Sequence, residues 1–282
     1  MIYNNKITIP NICPLTFNDI SRGNDMLIYP NAFRYIQKFT FSDTIHLQFL
    51  GTEDLNISIK AHDNETGQIL STILCTSTQL TSGIYYFDGY IQCSGLNHTN
   101  YFEVYDSEDG LLFDSEPIEI GEWNDTVLIE YWNTLNAFNT VFGSYSYLTS
   151  FSIRVEGGFT PDGAKDVGEF ETFNNQSLER SVTYSVPQTT ETLVLGDANG
   201  LPKWMERKIY SIFHCDTISI DGVNWVREGE FTADATGLRT KILSLDMSLV
   251  ENSQEQTSTG DIFLTNEDDV ILTDEDINAI TL

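Results

Sequence analysis

Basic residues are what this sequence has least of. Its 282 residues hold 14 Lys and Arg against 42 Asp and Glu, a formal charge of −28. Proteins that grip nucleic acid need cationic side chains to displace counterions from phosphate, so sequence-specific nucleic-acid binding is not expected. Long apolar runs are also missing: nothing approaches the roughly 20 residues of a membrane-spanning helix. The opening stretch MIYNNKITIPNICPLTF has polar breaks where a secretion signal needs an unbroken apolar run of about 7–15 residues. The expectation is a chain made and kept in a cytoplasm. In that setting the sequons at Asn56, Asn64, Asn97, Asn124 and Asn175 are chance triplets in an Asn- and Thr-rich chain.

Cysteine and histidine are scarce, with four of each. Cys13, Cys75, Cys93 and Cys215 form no C-x-x-C pair, and Cys215 beside His214 has no further ligands near it in sequence. Buried free thiols are the expectation, and a Cys75–Cys93 bridge is a weaker possibility. His46, His62, His98 and His214 fall in no metal-binding or catalytic motif. G-x-S-x-G, Walker A and a strand–G-x-G-x-x-G–helix unit are all missing. Carboxylates are so abundant that no pair stands out as a glycosidase acid and nucleophile. The segments DSEDG (106–110) and NEDD (266–269) could offer oxygen ligands to calcium, but read more simply as a hairpin turn and a solvated face. No catalytic residue, metal site or cofactor is assigned.

What is present is strand patterning. DTIHLQFLG sets Ile45, Leu47 and Phe49 against His46 and Gln48, and LNISIKAHD alternates Leu55, Ile57, Ile59 and Ala61. DNETG (63–67) supplies turn chemistry, GIYYFDGYIQC (83–93) is rich in strand formers, and residues 100–121 read as two strands joined around Glu108-Asp109-Gly110. Six short strands at this spacing suggest an immunoglobulin-like sandwich over 37–121. A second set follows over 122–250: TVLIEYWN, SFSIRVEGG, GEFETF, LERSVTYSVP, TETLVLG, a hairpin turning at Asp221-Gly222, and TKILSLDMSLV, in which Leu243, Leu245 and Met247 share one phase. One helix is expected at about 201–213, with Pro202 near its first turn and Met205, Ile209, Ile212 and Phe213 on one face. Residues 133–147, aromatic and polar without period, read as a long loop packed against something. Core packing is expected for at least three of Trp123, Trp132, Trp204 and Trp225.

The ends read differently. Residues 1–36 suggest an extended N-terminal arm in which Leu27, Ile28, Tyr29 and Phe33 need a partner surface. Residues 251–282 carry acids and no basic residue, yet contain two related apolar pieces, around Ile262, Phe263 and Leu264 and around Val270, Ile271 and Leu272. Such a segment is either a flexible acidic tail or an arm that adds as a strand to a neighbour's open sheet edge. These ten residues are the candidate interface.

The stretches GEWNDTVLIEYWNTLNAFNTVFG (121–143), FSIRVEGGF (151–159) and LPKWMERKIYSIFHCDTISIDGVNWV (201–226) resemble virion proteins of Bacteroidetes-infecting phages, in particular tail proteins of crAss-like phages. The resemblance rests on element order and signature words over about residues 35–250. It implies a mainly β subunit of two tandem β-sandwich domains with one short helix and extended terminal arms, set in the hub or ring of a viral tail. It transfers no active-site residues. The expected partners are further copies of the chain in a ring and other virion tail proteins. The expected location is the virion, after synthesis in the host cytoplasm. An acidic channel wall would let DNA pass without sticking, although a high net charge also serves plain solubility. The alternatives are a host-surface or carbohydrate-binding β-sandwich adhesin of a phage or bacterium, and a polysaccharide-cleaving enzyme.

Overall fold

Period-two alternation of apolar and polar side chains dictates most of the strands. Along Thr99–Asp106 every second residue, Asn100, Phe102, Val104 and Asp106, is buried and the others are half-exposed. A computed structural model of the chain describes residues 2–3, 6–19, 35–108, 110–144, 147–160, 165–174, 180–197, 200–235 and 240–249. Within these it is mainly β, with a single α-helix.

The first region contains β1 (Ile2–Tyr3), β2 (Ile7–Ile9), β3 (Phe17–Asp19), β4 (Gln37–Phe39), β5 (Thr44–Gly51), β6 (Ile57–Asp63), β7 (Ile69–Leu74), β8 (Thr76–Thr81), β9 (Ile84–Gln92), β10 (Thr99–Asp106), β11 (Gly110–Ser115) and β12 (Ile118–Ile120). They form two sheets. One runs β1-β2-β5-β9-β8; the other runs β3-β11-β10-β12-β4, with β6 on the free flank of β10 and β7 beyond it. Both sheets send side chains into one core, where Ile45, Leu47, Phe49 and Phe87 of the first meet Phe17, Ile59, Phe102 and Phe113 of the second. Burying each such side chain contributes about 1.5–3 kcal/mol. Gly89 of the first sheet leaves room for Ile59 of the second, whose Cδ1 would lie 2.5 Å from a Cβ there.

Residues 7–19, assigned above to an arm, belong to this region instead. Ile7 and Ile9 alternate into the core as β2 pairs with β5, and Leu15 and Phe17 are buried as the chain crosses to the second sheet. The crossing is a tight turn in which the Cys13 amide donates to the Pro10 carbonyl. KITIP (6–10) alternates as a strand should and forms β2, while β1 and β3 are too short to show a period.

The second region contains β13 (Thr126–Trp132), β14 (Gly143–Ser144), β15 (Tyr147–Leu148), β16 (Phe151–Phe159), β17 (Lys165–Asn174), β18 (Arg180–Leu195), β19 (Leu201–Pro202), α1 (Lys203–Ile212), β20 (Thr217–Ile220), β21 (Val223–Ala235) and β22 (Thr240–Leu249). It corrects the expectation of a second sandwich. Strand β18 pairs with β16 through Leu193–Leu195 and with β22 through Thr190–Leu195. That double pairing closes β16-β13-β20-β21-β22-β18 into a six-stranded barrel. Gly157 makes the seam possible: at φ +133° it sits so close to β18 that a Cβ would stand 2.1 Å from the Val194 carbonyl oxygen. The Asp221-Gly222 turn has both residues at positive φ, the primed geometry whose twist suits a two-residue hairpin.

The helix forms where expected, three residues shorter, with Pro202 extended as its N-cap. Met205, Ile209, Ile212 and Phe213 join the core of the barrel, with Leu243, Leu245 and Met247. Trp225 is buried there, and Trp132 and Trp204 pack against it. Trp123 lies outside this core, donating to the Phe39 carbonyl.

Candidate assembly surfaces

Three features of the described residues bear on how this chain could meet another. They are a rigid joint between the two regions, an open sheet edge on the first region, and a two-stranded ribbon leaving the barrel.

The joint is built by β5 of the first region and β16 of the barrel. His46, on the polar phase of β5, is not exposed: its ring stacks between Tyr90 and Phe151, with centroids 4.3 Å from each. Its Nε2 lies 2.7 Å from Asp88 Oδ1, and its Nδ1 is 3.3 Å from the Ser150 carbonyl. Gln48 donates to the Val141 carbonyl and accepts from the Val141 amide, so the 133–147 segment packs against the first region, with Val141 and Phe142 buried. Arg154 makes a two-pronged bond to Asp43, both contacts at 2.8 Å. Burial alone would raise the Asp43 pKa, but hydrogen bonds from Arg154 and from the Thr40 amide outweigh it and hold the carboxyl below its ordinary value. Such paired geometry fixes direction as well as distance.

Further along the joint, the Tyr35 hydroxyl donates to Glu156 at 2.6 Å, and Lys38 reaches Asp125 at 3.2 Å and Glu156 at 3.7 Å. Lys208 of α1 is buried. It donates to the carbonyls of Pro14 and Leu15 and to Thr16 Oγ1 at 3.0–3.3 Å. Tyr131 of β13 donates to the Ile12 carbonyl. The barrel thus holds the 12–16 turn of the first region by its backbone oxygens.

The open edge is β7 and β8. They are one stretch of chain that changes sheets at Cys75: among the described residues β7 pairs with β6 alone, in the second sheet, and β8 with β9 alone, in the first. From Thr66 to Phe87 there is no Asp, Glu, Lys or Arg. Every residue of β8 is exposed, and apolar side chains stand out in water along the stretch, with Leu74 at 80% exposure and Ile69 at 49%. Edge strands are ordinarily guarded by charge, proline or brevity because their free amides and carbonyls template pairing. Here the described guards are two register irregularities, one between Ile69 and Ser71 and one between Gln79 and Thr81.

The ribbon is β17 paired with the outer part of β18, in ten register pairs from Lys165↔Thr190 to Asn174↔Arg180. At about 3.3 Å per residue it is roughly 30 Å long. Beyond Thr190, toward its tip, β18 has β17 as its one partner among the described residues.

The interface residues expected from sequence, Leu27, Ile28, Tyr29, Phe33, Ile262, Phe263, Leu264, Val270, Ile271 and Leu272, lie outside the described residues, as do 20–34 of the expected N-terminal arm and all of the expected C-terminal arm. The edge was legible as a charge-free run, but only topology reveals that it lies at a sheet margin. Residues with chemical potential are occupied structurally. The four thiols are free. Burial pushes Cys13 up to about 11 and Cys75, Cys93 and Cys215 up to about 12, so they are protonated near neutral pH. His98 faces the Ile120 carbonyl, and His214 the Tyr210 carbonyl at the end of α1. His62 Nε2 lies 2.8 Å from Glu103, off the angle a hydrogen bond needs. Among the described residues no three His, Cys, Asp or Glu side chains converge as metal ligands, and no helix is long and apolar enough to cross a membrane. No protein-family model, no curated protein and no solved structure matches the chain.

Proposed function

We propose that this chain is a structural subunit of a bacteriophage virion tail, a hub or ring around the DNA channel, which acts by oligomeric assembly. The observation that carries the reading is the open β7–β8 edge. A chain of charge −28 keeps a charge-free, partly apolar strand at a sheet margin, where like-charged copies can approach with least repulsion. The resemblance of residues 121–143, 151–159 and 201–226 to crAss-like phage tail proteins supports the same reading. In it the first region is an immunoglobulin-like sandwich, the barrel is the second of two tandem β domains, and the acidic surface lets DNA slide past. The apolar residues of 27–33 and 262–272 clasp neighbouring subunits, and the finished protein resides in the virion beside other tail proteins.

The test is the mass of the full chain in solution by light scattering and native mass spectrometry, with particle averaging by electron microscopy. Discrete symmetric oligomers are expected. Deleting residues 252–282 is expected to leave the far-ultraviolet circular dichroism unchanged and to weaken assembly. A strictly monomeric chain at every concentration it tolerates would sink the reading. The alternative, a carbohydrate-binding adhesin, has one supporting face. Tyr101, Glu103 and Tyr105 stand in a row on β10; Tyr101 stacks on His62 and Lys60 lies 3.6 Å over the Tyr105 ring. Saturable glycan binding that is lost in Tyr101→Ala would favour it.

A further inference from the structure

We infer that the contact between copies is head-to-tail, and that the β17–β18 ribbon of one copy adds as the next strand to the β8 edge of another. This rests on the assembly reading above and names the elements that carry it.

Three observations converge. First, the outer ribbon is two-stranded among the described residues. Two-stranded ribbons are marginal in water and need a third strand or a packed face, yet the outer residues of β18 have β17 as their one partner among the described residues. Second, the two strands that would pair are charge-free in a strongly acidic chain: Ser181–Thr190 of β18 and Thr66–Phe87 on the edge contain no Asp, Glu, Lys or Arg, while β17 on the far side of the ribbon carries Lys165, Asp166, Glu169 and Glu171. Third, the lengths agree. Strand β8 offers six residues, Thr76–Thr81. The run Ser181–Val186 offers the same length before Pro187, which has no amide hydrogen and ends a ladder.

Self-pairing is the rival geometry. Two ribbons paired about a two-fold axis would make a four-stranded sheet with no core under it. Addition to β8 instead extends a sheet whose other face already covers Phe49 and Phe87. Because donor and acceptor are different surfaces, the contact is heterologous, and it generates a ring if the rotation closes or a filament if it does not.

The experiment uses the full chain in a Cys75→Ala background. One preparation carries Thr78→Cys on the edge and the other Thr183→Cys on the ribbon. The two are mixed under mild oxidation and digested for mass spectrometry. A disulfide requires Cα atoms within about 7 Å, so only adjacent strands will cross-link. Expected are a 78–183 bridge between copies, few 78–78 or 183–183 bridges, and at least tenfold weaker association on introducing Thr78→Lys, with circular dichroism unchanged. Association that survives Thr78→Lys at full strength, or bridges that are mainly 78–78 or 183–183, would overturn the inference and leave oligomeric assembly standing. A chain that stays monomeric before any substitution overturns both.

Discussion

The two regions solve the sheet-edge problem in opposite ways. The barrel removes its edges by pairing β18 with both β16 and β22; full closure is the one arrangement that leaves no free ladder. The first region stacks two sheets and leaves β7 and β8 uncovered among the described residues. Among the described residues the barrel's open ladders lie on the ribbon it projects outward and on β21 beyond Trp225. Closure therefore belongs where the chain must hold its shape, and openness where it can receive another chain. The joint of Arg154, Asp43, His46 and Gln48 links the two.

The contrast can be broken most severely at the seam. Gly157→Val places side-chain atoms against the Val194 carbonyl in a backbone conformation that L-residues avoid. A loss of more than about 4 kcal/mol is expected, read as a fall in melting temperature on the order of 10 °C. A shift of only a degree or two would show that the barrel does not depend on this approach.

Next in size is the joint. Arg154→Met strands Asp43 without its partner in a largely buried place and should cost about 3 kcal/mol near neutral pH. The pH dependence gives a second check. The folded Asp43 pKa is depressed, so its contribution is present above the unfolded carboxylate value and is lost as pH falls through the lower folded one. Chemical denaturation at pH 7 and near pH 3 should show the gap between wild type and Arg154→Met shrinking in acid. A constant gap would mean that the pair adds nothing ionic.

Lys208 gives an effect of the same sign in an alkaline window. Burial lowers its pKa from 10.5 to about 8, so between those values the unfolded chain holds a proton that the folded chain has released. Stability from this group therefore rises with pH across that window, by up to about 3 kcal/mol. Denaturation of wild type and Lys208→Met at pH 7.5 and 10 isolates it from the thiols and tyrosines, which titrate in both proteins. An unchanging difference would show Nζ charged throughout, sustained by the Pro14 and Leu15 carbonyls. Smallest of all, Leu74→Ser on the open edge should move folding stability by under about 0.5 kcal/mol, while reducing self-association seen by light scattering. A large loss of stability would instead place Leu74 in a core.

Much of the strand order was legible because it is local. Ile45, Leu47 and Phe49 alternate, Leu243, Leu245 and Met247 alternate, and Met205, Ile209 and Ile212 recur at helical spacing; each set is buried as its period requires. What escaped was set by long-range pairing. Barrel closure depends on Leu193 meeting Leu245, far apart in the chain, and no window of sequence carries that. His46 read as a polar-phase residue of its strand, and its burial could not be read because the surface that covers it, Phe151 and the Ser150 carbonyl, comes from the other region. Of the N-terminal strands, KITIP (6–10) alternates like a strand and forms β2, whereas the two- and three-residue pieces Ile2–Tyr3 and Phe17–Asp19 are too short to show a period. Of the candidate surface, the charge-free stretch could be read directly, but its position at a margin could not.

The crossing at Cys75 has a mechanical corollary. One continuous length of backbone is bonded first to β6 and then to β9, so a pull along it loads two ladders in series. Ladder bonds lie across the strand direction, and a force along the strand must shear many of them together instead of peeling them one at a time. Tension arriving at this margin would be shared between both faces of the sandwiched core, which makes the most exposed strand of the region a hard one to strip away.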